Sequence, residues 1–265
     1  MIKNAPWHAK FAALLACLIP FYFMLAALGT KFGLWSWQTG LGGMTIGAGP
    51  MLLGIVGLVS LVSLIAILWR APRNGWPLSL FGLLFPLGIF GYVASVGSVA
   101  AEHPIHDVAT DTTNPPSFSA DTMAARDAGD SNPLNDYSTP LSDIEMWSSS
   151  EEPLASQTHA GIIADTYPDL TSIDTSGLDQ DIVATAVADA MGALGFSNVT
   201  TSDDKTRIEG VAETFWFGFK DDVVVRNSDG MLDIRSVSRV GRSDLGANAK
   251  RIAALRAEIE QRLSQ

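Results

Sequence analysis

The chain has 265 residues, of which 28 are acidic and 17 basic, giving a formal net charge of -11 with a single cysteine. One or two domains fit that length, and one cysteine excludes a fold stapled by its own disulfides. The charge is divided rather than spread, because residues 1–101 hold no Asp or Glu and carry +5, from Lys3, Lys10, Lys31, Arg70 and Arg73, while the remainder carries -16.

Three uncharged apolar runs follow one another in the first part, about Phe11 to Gly29, Met44 to Leu68 and Pro77 to Val99. Each matches the roughly 20 residues of helix that cross a bilayer core and exceeds the roughly 10 to 14 of a helix buried in a soluble protein. Residues 1–101 are therefore expected to form an α-helical transmembrane region of three helices. Trp7, Trp69 and Trp76 fall at one set of helix ends and Trp35 and Trp37 at the other, where indoles meet lipid headgroups. Lys3, Lys10, Arg70 and Arg73 flank the first set of ends, and Lys31 alone flanks the second. Because cytoplasmic flanks retain Lys and Arg, the N-terminus is expected inside and the C-terminal part outside. A signal peptide cut near Ala27-Leu28-Gly29 is a rival reading of the first run, and it leaves the C-terminal side unchanged. Leu14-Leu15-Ala16-Cys17 faintly resembles a lipoprotein box, but only three apolar residues precede it after Lys10, so Cys17 reads as a cysteine within the membrane. No Asp, Glu, Lys or Arg lies inside a run, which argues against an ion or proton pathway. Gly43 with Gly47, and Ala94 with Ser98, have the small-xxx-small spacing of helix interfaces and leave an oligomer through the membrane helices open. Pro20, Pro50 and Pro86 are expected to kink their helices.

From Glu102 to Asp204 there are 19 acidic residues against one basic residue, Arg126. Residues 102–178 read as an acidic, loop-rich segment that packs on the C-terminal domain, with a disordered insertion expected near 142–160 from its Ser and Glu content. From Lys205 onward there are 11 basic and 9 acidic residues, so the two segments carry opposite charge and can pair.

Residues 179–265 are expected to form an α+β domain, a four-stranded antiparallel meander flanked by two helices on one face. Asp179 to Leu194 has apolar residues at helical spacing and Gly195 as a stop. A strand from about Asn198 turns at Asp203-Asp204 into a longer strand in which Val211, Glu213, Phe215, Phe217 and Phe219 share a face. Lys220-Asp221-Asp222 is read as the next turn, and Asp229-Gly230 as the hairpin between the last two strands. The final helix is expected from about Asp244, with Leu245, Ile252, Leu255, Ile259 and Leu263 as its apolar stripe.

The stretch RSVSRVGRSDLGANAKRIAAL, from Arg235 to Leu255, holds the candidate site. Arg235 and Arg239 share one face of the last strand, Arg242 follows, Ser243 can cap the helix, and Asp244 suits its positive end. The candidates for an anion or partner site are Arg235, Arg239, Arg242, Ser243, Asp244 and Asn248. The alternative is internal, with His106, Asp107 and Asp111 just after the membrane supplying the negative groups of an intramolecular clamp. Arginine serves either purpose, since its planar fork grips carboxylate and phosphate alike. Where the arginines point decides between the two: into a closed interior toward Asp107 and Asp111, or into an open cleft that also holds a His or carboxylate. Metal ligation by His103 and His106 with Asp107 and Asp111 is not expected, because Pro104 favours extended chain. No catalytic residues are identified and no cofactor is expected: zinc-protease, serine-hydrolase, Walker and dinucleotide-binding motifs are missing from residues 102–265. Nucleic acid is not an expected partner at this net charge.

Four segments in order, IHDVATDTTNPPSF, YPDL at Tyr167 to Leu170, TFWFGFKDDVVVRN and RSVSRVGRSDLGANAKRI, resemble the domain of unknown function 1499 family, over about Pro104 to Leu263. The resemblance implies an envelope or thylakoid-lumen association, in some members with N-terminal membrane helices, and it brings no activity, cofactor or catalytic residue. The expected function is a membrane-anchored envelope protein acting as a non-catalytic binding module for a protein or anionic envelope component. The alternative is an enzyme on an anionic envelope substrate, with the arginines as charge stabilisers.

Overall fold

A computed structural model describes residues 4–264. The chain forms two compact units, one running through Ser98 and including Thr214–Gly218, the other comprising Val99–Glu213 and Phe219 onward.

The first unit contains three helices long and apolar enough to cross a membrane. Helix α1 is Trp7–Lys31, a π-helical segment Gln38–Ala48 runs into α2, Gly49–Trp69, and α3 is Trp76–Glu102. Small side chains set their packing. Ala9, Ala12 and Ala16 of α1 are fully buried, and a Cβ added to Gly82 of α3 would lie 2.5 Å from Ser60 Oγ of α2 and 3.2 Å from the Ala12 backbone. Gly43 and Gly47, by contrast, face only their own helix, so their spacing serves no contact between helices of this chain. Pro20 and Pro86 lie inside helices, and Pro50 is the second residue of α2, directly after the π-helical segment. Ser63 of α2 links His8 Nδ1 and Ser79 Oγ, each at 2.7 Å, which satisfies hydroxyls in an apolar setting.

The second unit is built on an antiparallel sheet of six strands rather than four. The expected meander is there as β3, Ser197–Thr201, β4, Arg207–Glu213, β5, Lys220–Ser228, and β6, Met231–Ser238. Two short strands from the acidic segment, β1, Asp107–Ala109, and β2, Ile173–Asp174, pair with the other edge of β6, giving the order β1-β6-β5-β4-β3 with β2 beside β6. Without them β6 would present an unpaired edge. The β5–β6 turn has Asp229 at φ 55° and Gly230 at φ 74°, the two left-handed residues that a tight hairpin requires. At the β4–β5 connection the expectation fails. Strand β4 stops at Glu213, the aromatic residues beyond it form the connection, and Asp221 and Asp222 lie buried within β5 instead of in a turn.

One face of the sheet packs against α6, Gln180–Ala193, and α7, Ala247–Leu263, around Val187, Met191, Ile208, Val223, Val225, Leu232, Ile234, Ile252, Leu255 and Ile259. Asp179 caps α6, accepting from the N–H groups of Asp181 and Ile182. Helix α4, Ala120–Ala128, covers the opposite face beside Phe118, Val224 and Val237, so helices lie on both faces and not on one. Residues 142–160 follow a path set by packing: two 3-10 turns, Leu141–Asp143 and Glu145–Trp147, bury Leu141 and Trp147 completely before α5, His159–Thr166. The Ser and Glu residues there are the solvent side of a segment whose few large apolar residues point inward.

Candidate functional site

Residues 103–106 emerge from α3 as extended chain, and each of their carbonyls is held. Ser243 Oγ donates to His103 O at 2.5 Å, Trp147 Nε1 to Pro104 O at 3.0 Å and the Asp244 N–H to Ile105 O at 3.3 Å. His106 O accepts from the Ser238 N–H at 2.9 Å and from Asn248 Nδ2 at 2.8 Å. Of these donors, Ser238, Ser243, Asp244 and Asn248 all belong to the arginine-rich stretch. Asn248 is fully buried and fully used: its Oδ1 also accepts from Ser236 Oγ at 2.6 Å and Arg251 Nη1 at 2.5 Å.

Asp107 follows, on the sheet face opposite α6 and α7. Arg235 Nε and Nη2 grip its two oxygens at 2.9 and 2.6 Å, and Tyr137 Oη donates to Oδ1 at 2.5 Å. The carboxylate is fully buried and Arg235 nearly so, with its guanidinium 5.2 Å from the Tyr137 ring. Burial alone would raise the Asp107 pKa, but the hydrogen bonds and charge of Arg235 outweigh it and hold the carboxyl below its ordinary value. Tyr137 is pushed well up, first by burial and then by the neighbouring carboxylate. Its ring stacks on His159, which meets Trp147 edge to face, and His106 stacks on Trp147. Among the described residues neither nitrogen of His106 has a hydrogen-bond partner, and His159 has one at Nε2 alone, to Asn135 at 3.3 Å. Burial lowers both imidazole pKa values, that of His159 to about 4, so both rings are neutral at pH 7.

The other arginines part company. Arg239 grips Asp222 at 2.6 and 2.9 Å, and Arg126 of α4 reaches the same carboxylate at 2.6 Å. Asp111 meets neither Arg235 nor Arg239: its Oδ2 accepts from Arg226 at 2.8 Å, and Arg226 also holds Asp233 at 2.7 Å. Arg242 is exposed and, among the described residues, its side chain bonds to Ser150 Oγ alone, at 3.1 Å. The start of α7 lies three residues beyond Asp244, because Leu245 and Gly246 take φ of 57° and 76°. Asp244, not Ser243, supplies the cap there: its carboxylate accepts from the N–H groups of Gly246 and Asn248 at 2.7 and 2.8 Å. The anion position at this helix end is thus filled by the chain itself. Burial raises the Asp244 pKa against those two hydrogen bonds.

Two clefts border this network. One, of about 380 Å³, holds Arg239, Arg207, Asp222 and Glu209. Glu209 is buried there and accepts from the Ser119 N–H, Ser119 Oγ and Thr122 Oγ1 at 2.5, 2.7 and 2.5 Å, so it acts at the start of α4. The other, of about 720 Å³, is lined by Arg242 and Ser243 together with Glu151, Glu152 and Asp165. Among the described residues no cluster of His, Cys, Asp or Glu has the geometry to hold a metal ion.

The residues missed from sequence are the partners: Tyr137, His159, Trp147, Arg126, Asp222, Arg226 and Asp233. Strand alternation carried a signal for some of them, since Asp222, Arg226, Asp233, Arg235 and Arg239 fall on one face once β5 starts at Lys220, with Arg226 directly opposite Asp233.

These observations define a class, an α+β sheet domain with one ion-paired face, carried behind three helices that can anchor it in a membrane. Residues 107–259 match the family described as "Protein of unknown function (DUF1499)", and the chain belongs to that family. No curated protein and no solved structure matches the chain.

Proposed function

We propose that this is an envelope protein anchored in a bacterial inner membrane, with its N-terminus cytoplasmic and its sheet domain periplasmic, and that the domain is a non-catalytic binding module. The observation that carries the non-catalytic part is the closed Asp107–Arg235–Tyr137 group. The most buried arginine of the motif is spent on a carboxylate of the same chain, where no substrate reaches it. With Ser243, Asp244 and Asn248 it clamps the segment that leaves α3 onto the sheet, so the motif's first task is to set how the domain begins. Arg242 is the member left over. It has no carboxylate partner among the described residues and borders the 720 Å³ cleft, which makes that cleft the surface for a protein or anionic envelope partner. The periplasmic side is supported by the four cations flanking one set of helix ends against Lys31 at the other.

Two experiments test this reading. A phosphatase that folds only outside the cytoplasm, fused after Gln265, is expected to be active, and activity of a cytosol-only reporter at the same point would sink the placement. A photo-crosslinking residue at Arg242 is expected to form a discrete adduct in cells that the same residue at Asp203 does not form; equal labelling at both positions removes the binding surface.

One observation favours a second reading, an enzyme acting on an anionic envelope substrate. Arg239 and Arg207 border an open cleft that also holds the carboxylates of Glu209 and Asp222. Charge stabilisation by these arginines would require turnover to fall on Arg207→Ala while the fold stays intact, since Arg207 is the more exposed of the two.

A further inference from the structure

The connection from β4 to β5 reads Thr214-Phe215-Trp216-Phe217-Gly218, and it presents two large apolar side chains outward: Phe215 is 72% exposed and Trp216 52%. Their rings meet edge to face with centroids 5.1 Å apart, so they form one continuous aromatic patch. Hairpin connections in water are ordinarily built from Gly, Asn, Asp and Ser; here only Gly218, at φ 67°, is of that kind. These five residues belong to the unit of the membrane-length helices. They touch the last residue of α1: Lys31 Nζ donates to Phe215 O at 2.9 Å and lies 5.2 Å from the Phe215 ring centroid. Gly218 is equally close, since a Cβ added there would stand 3.1 Å from Lys31 Cγ. The patch therefore sits at the level where an apolar helix of 25 residues ends in a cation.

We propose that Phe215 and Trp216 are an interfacial anchor that inserts into the headgroup region of the bilayer crossed by the three helices. Lipid is the occupant that fits. Aromatic rings with an apolar body and, for indole, a polar N–H are enriched at that depth. The patch is grouped with the apolar helices and not with the sheet. The inference rests on the membrane reading of the helices.

The test uses the full chain in vesicles of phosphatidylethanolamine and phosphatidylglycerol. With Cys17→Ser removing the only cysteine, single spin labels are placed by F215C, W216C, L58C on the exposed side of α2, and D203C in the exposed β3–β4 turn. Collision with oxygen, which concentrates in lipid, is compared with collision with a water-soluble nickel chelate. The expected result is an oxygen-to-nickel ratio several-fold higher at 215 and 216 than at 203, and lower than at 58. A label at 216 as open to nickel as that at 203, with 58 still in lipid, overturns the anchor alone. Exclusion of nickel at 216 together with dipolar broadening that vanishes on dilution with unlabelled protein would make a second copy the occupant, and also overturns it. A label at 58 open to nickel overturns the membrane reading and this inference with it.

Discussion

The two faces of the sheet are made from the same three central strands, yet they are held by different physics. Toward α6 and α7 the strands present Ile208, Val223, Val225, Leu232 and Ile234, and the contact is largely apolar. Toward α4 and the acidic segment they present Glu209, Asp222, Arg226, Asp233, Arg235 and Arg239, and nearly every one is ion-paired or hydrogen-bonded. An apolar face tolerates many occupants of suitable volume, whereas a face of fixed charges accepts a segment only in the register that satisfies them. The exit from α3 must meet β6 at one position, and a charged face suits that need.

The largest effect should come from breaking that face at its centre. Asp107→Ala leaves the buried Arg235 without a counter-charge, with only the Pro116 carbonyl at 3.3 Å to accept from it, and the expected loss is about 3–5 kcal/mol in denaturant unfolding of the full chain in detergent. Ile234→Ala on the apolar face is expected to cost a similar amount, about 2–5 kcal/mol. The double variants separate the mechanisms. Asp107→Leu with Arg235→Met removes both charges and should recover most of the loss, while Ile234→Ala with Ile252→Ala should only deepen it. If the charge-free pair is as unstable as Asp107→Ala alone, the buried group stabilises through something other than its paired charges.

Acid should distinguish the faces next. His159 is surrounded by Tyr137, Trp147, Asn135, Asp107, His106 and Arg235, and burial outweighs the attraction of Asp107 to bring its pKa to about 4. In the unfolded chain the ring titrates near the ordinary histidine value, so between about pH 6.5 and 4 the unfolded state binds the proton and the folded state does not. Stability is therefore complete above that window and falls within it, by roughly 3 kcal/mol from His159 by pH 4, with His106 acting in the same direction. Asp244 opposes the fall, because its raised pKa lets the folded state take up a proton first. Asp107, held low, is lost only at still lower pH. His159→Phe keeps the ring contacts without the titration, and it should remove up to about 1.4 kcal/mol per pH unit from the slope in that window. An unchanged slope would assign the acid sensitivity elsewhere.

How much of this was legible in the sequence differs between the faces. The apolar face, α6, α7 and the Asp229-Gly230 hairpin follow from periodicity and turn chemistry, which are local. The ionic face was legible only as a surplus of arginine near a surplus of acid. Which carboxylate each arginine meets depends on contacts across more than a hundred residues, as between Arg235 and Asp107, and no local pattern encodes them. The two short strands β1 and β2 were missed for the same reason: two or three residues carry no periodicity, and only the open edge of β6 makes them strands. Asp221 and Asp222 were mistaken for a turn because charged residues between apolar runs ordinarily are one. Their partners, Arg251 on one face and Arg126 with Arg239 on the other, are what allow them inside a strand.

A smaller effect is expected where the polar order reaches round to the α7 side. Asn248→Ala removes four hydrogen bonds, but His106 O keeps the Ser238 N–H, and Arg251 keeps Asp221 and Ser236. The cost should be about 1–3 kcal/mol, set chiefly by the buried hydroxyls of Ser236 and Ser238 left short of a partner. A cost as large as that of Asp107→Ala would mean that the clamp on the exit segment, rather than the ion pair, holds the acidic segment in place.

Arg242→Ala should change stability least, by less than about 0.5 kcal/mol, because the side chain is exposed and its one contact is a hydroxyl. That small number matters because Arg242 lies three residues from Arg239 in the same motif and differs from it in having no carboxylate partner among the described residues. If the motif were structural throughout, this variant would behave in cells as the wild type does. Loss of function in cells at unchanged unfolding midpoint would instead separate the arginine that meets a partner from those that hold the fold. A midpoint lowered as far as by Asn248→Ala would return Arg242 to the clamp and leave the 720 Å³ cleft without its cation.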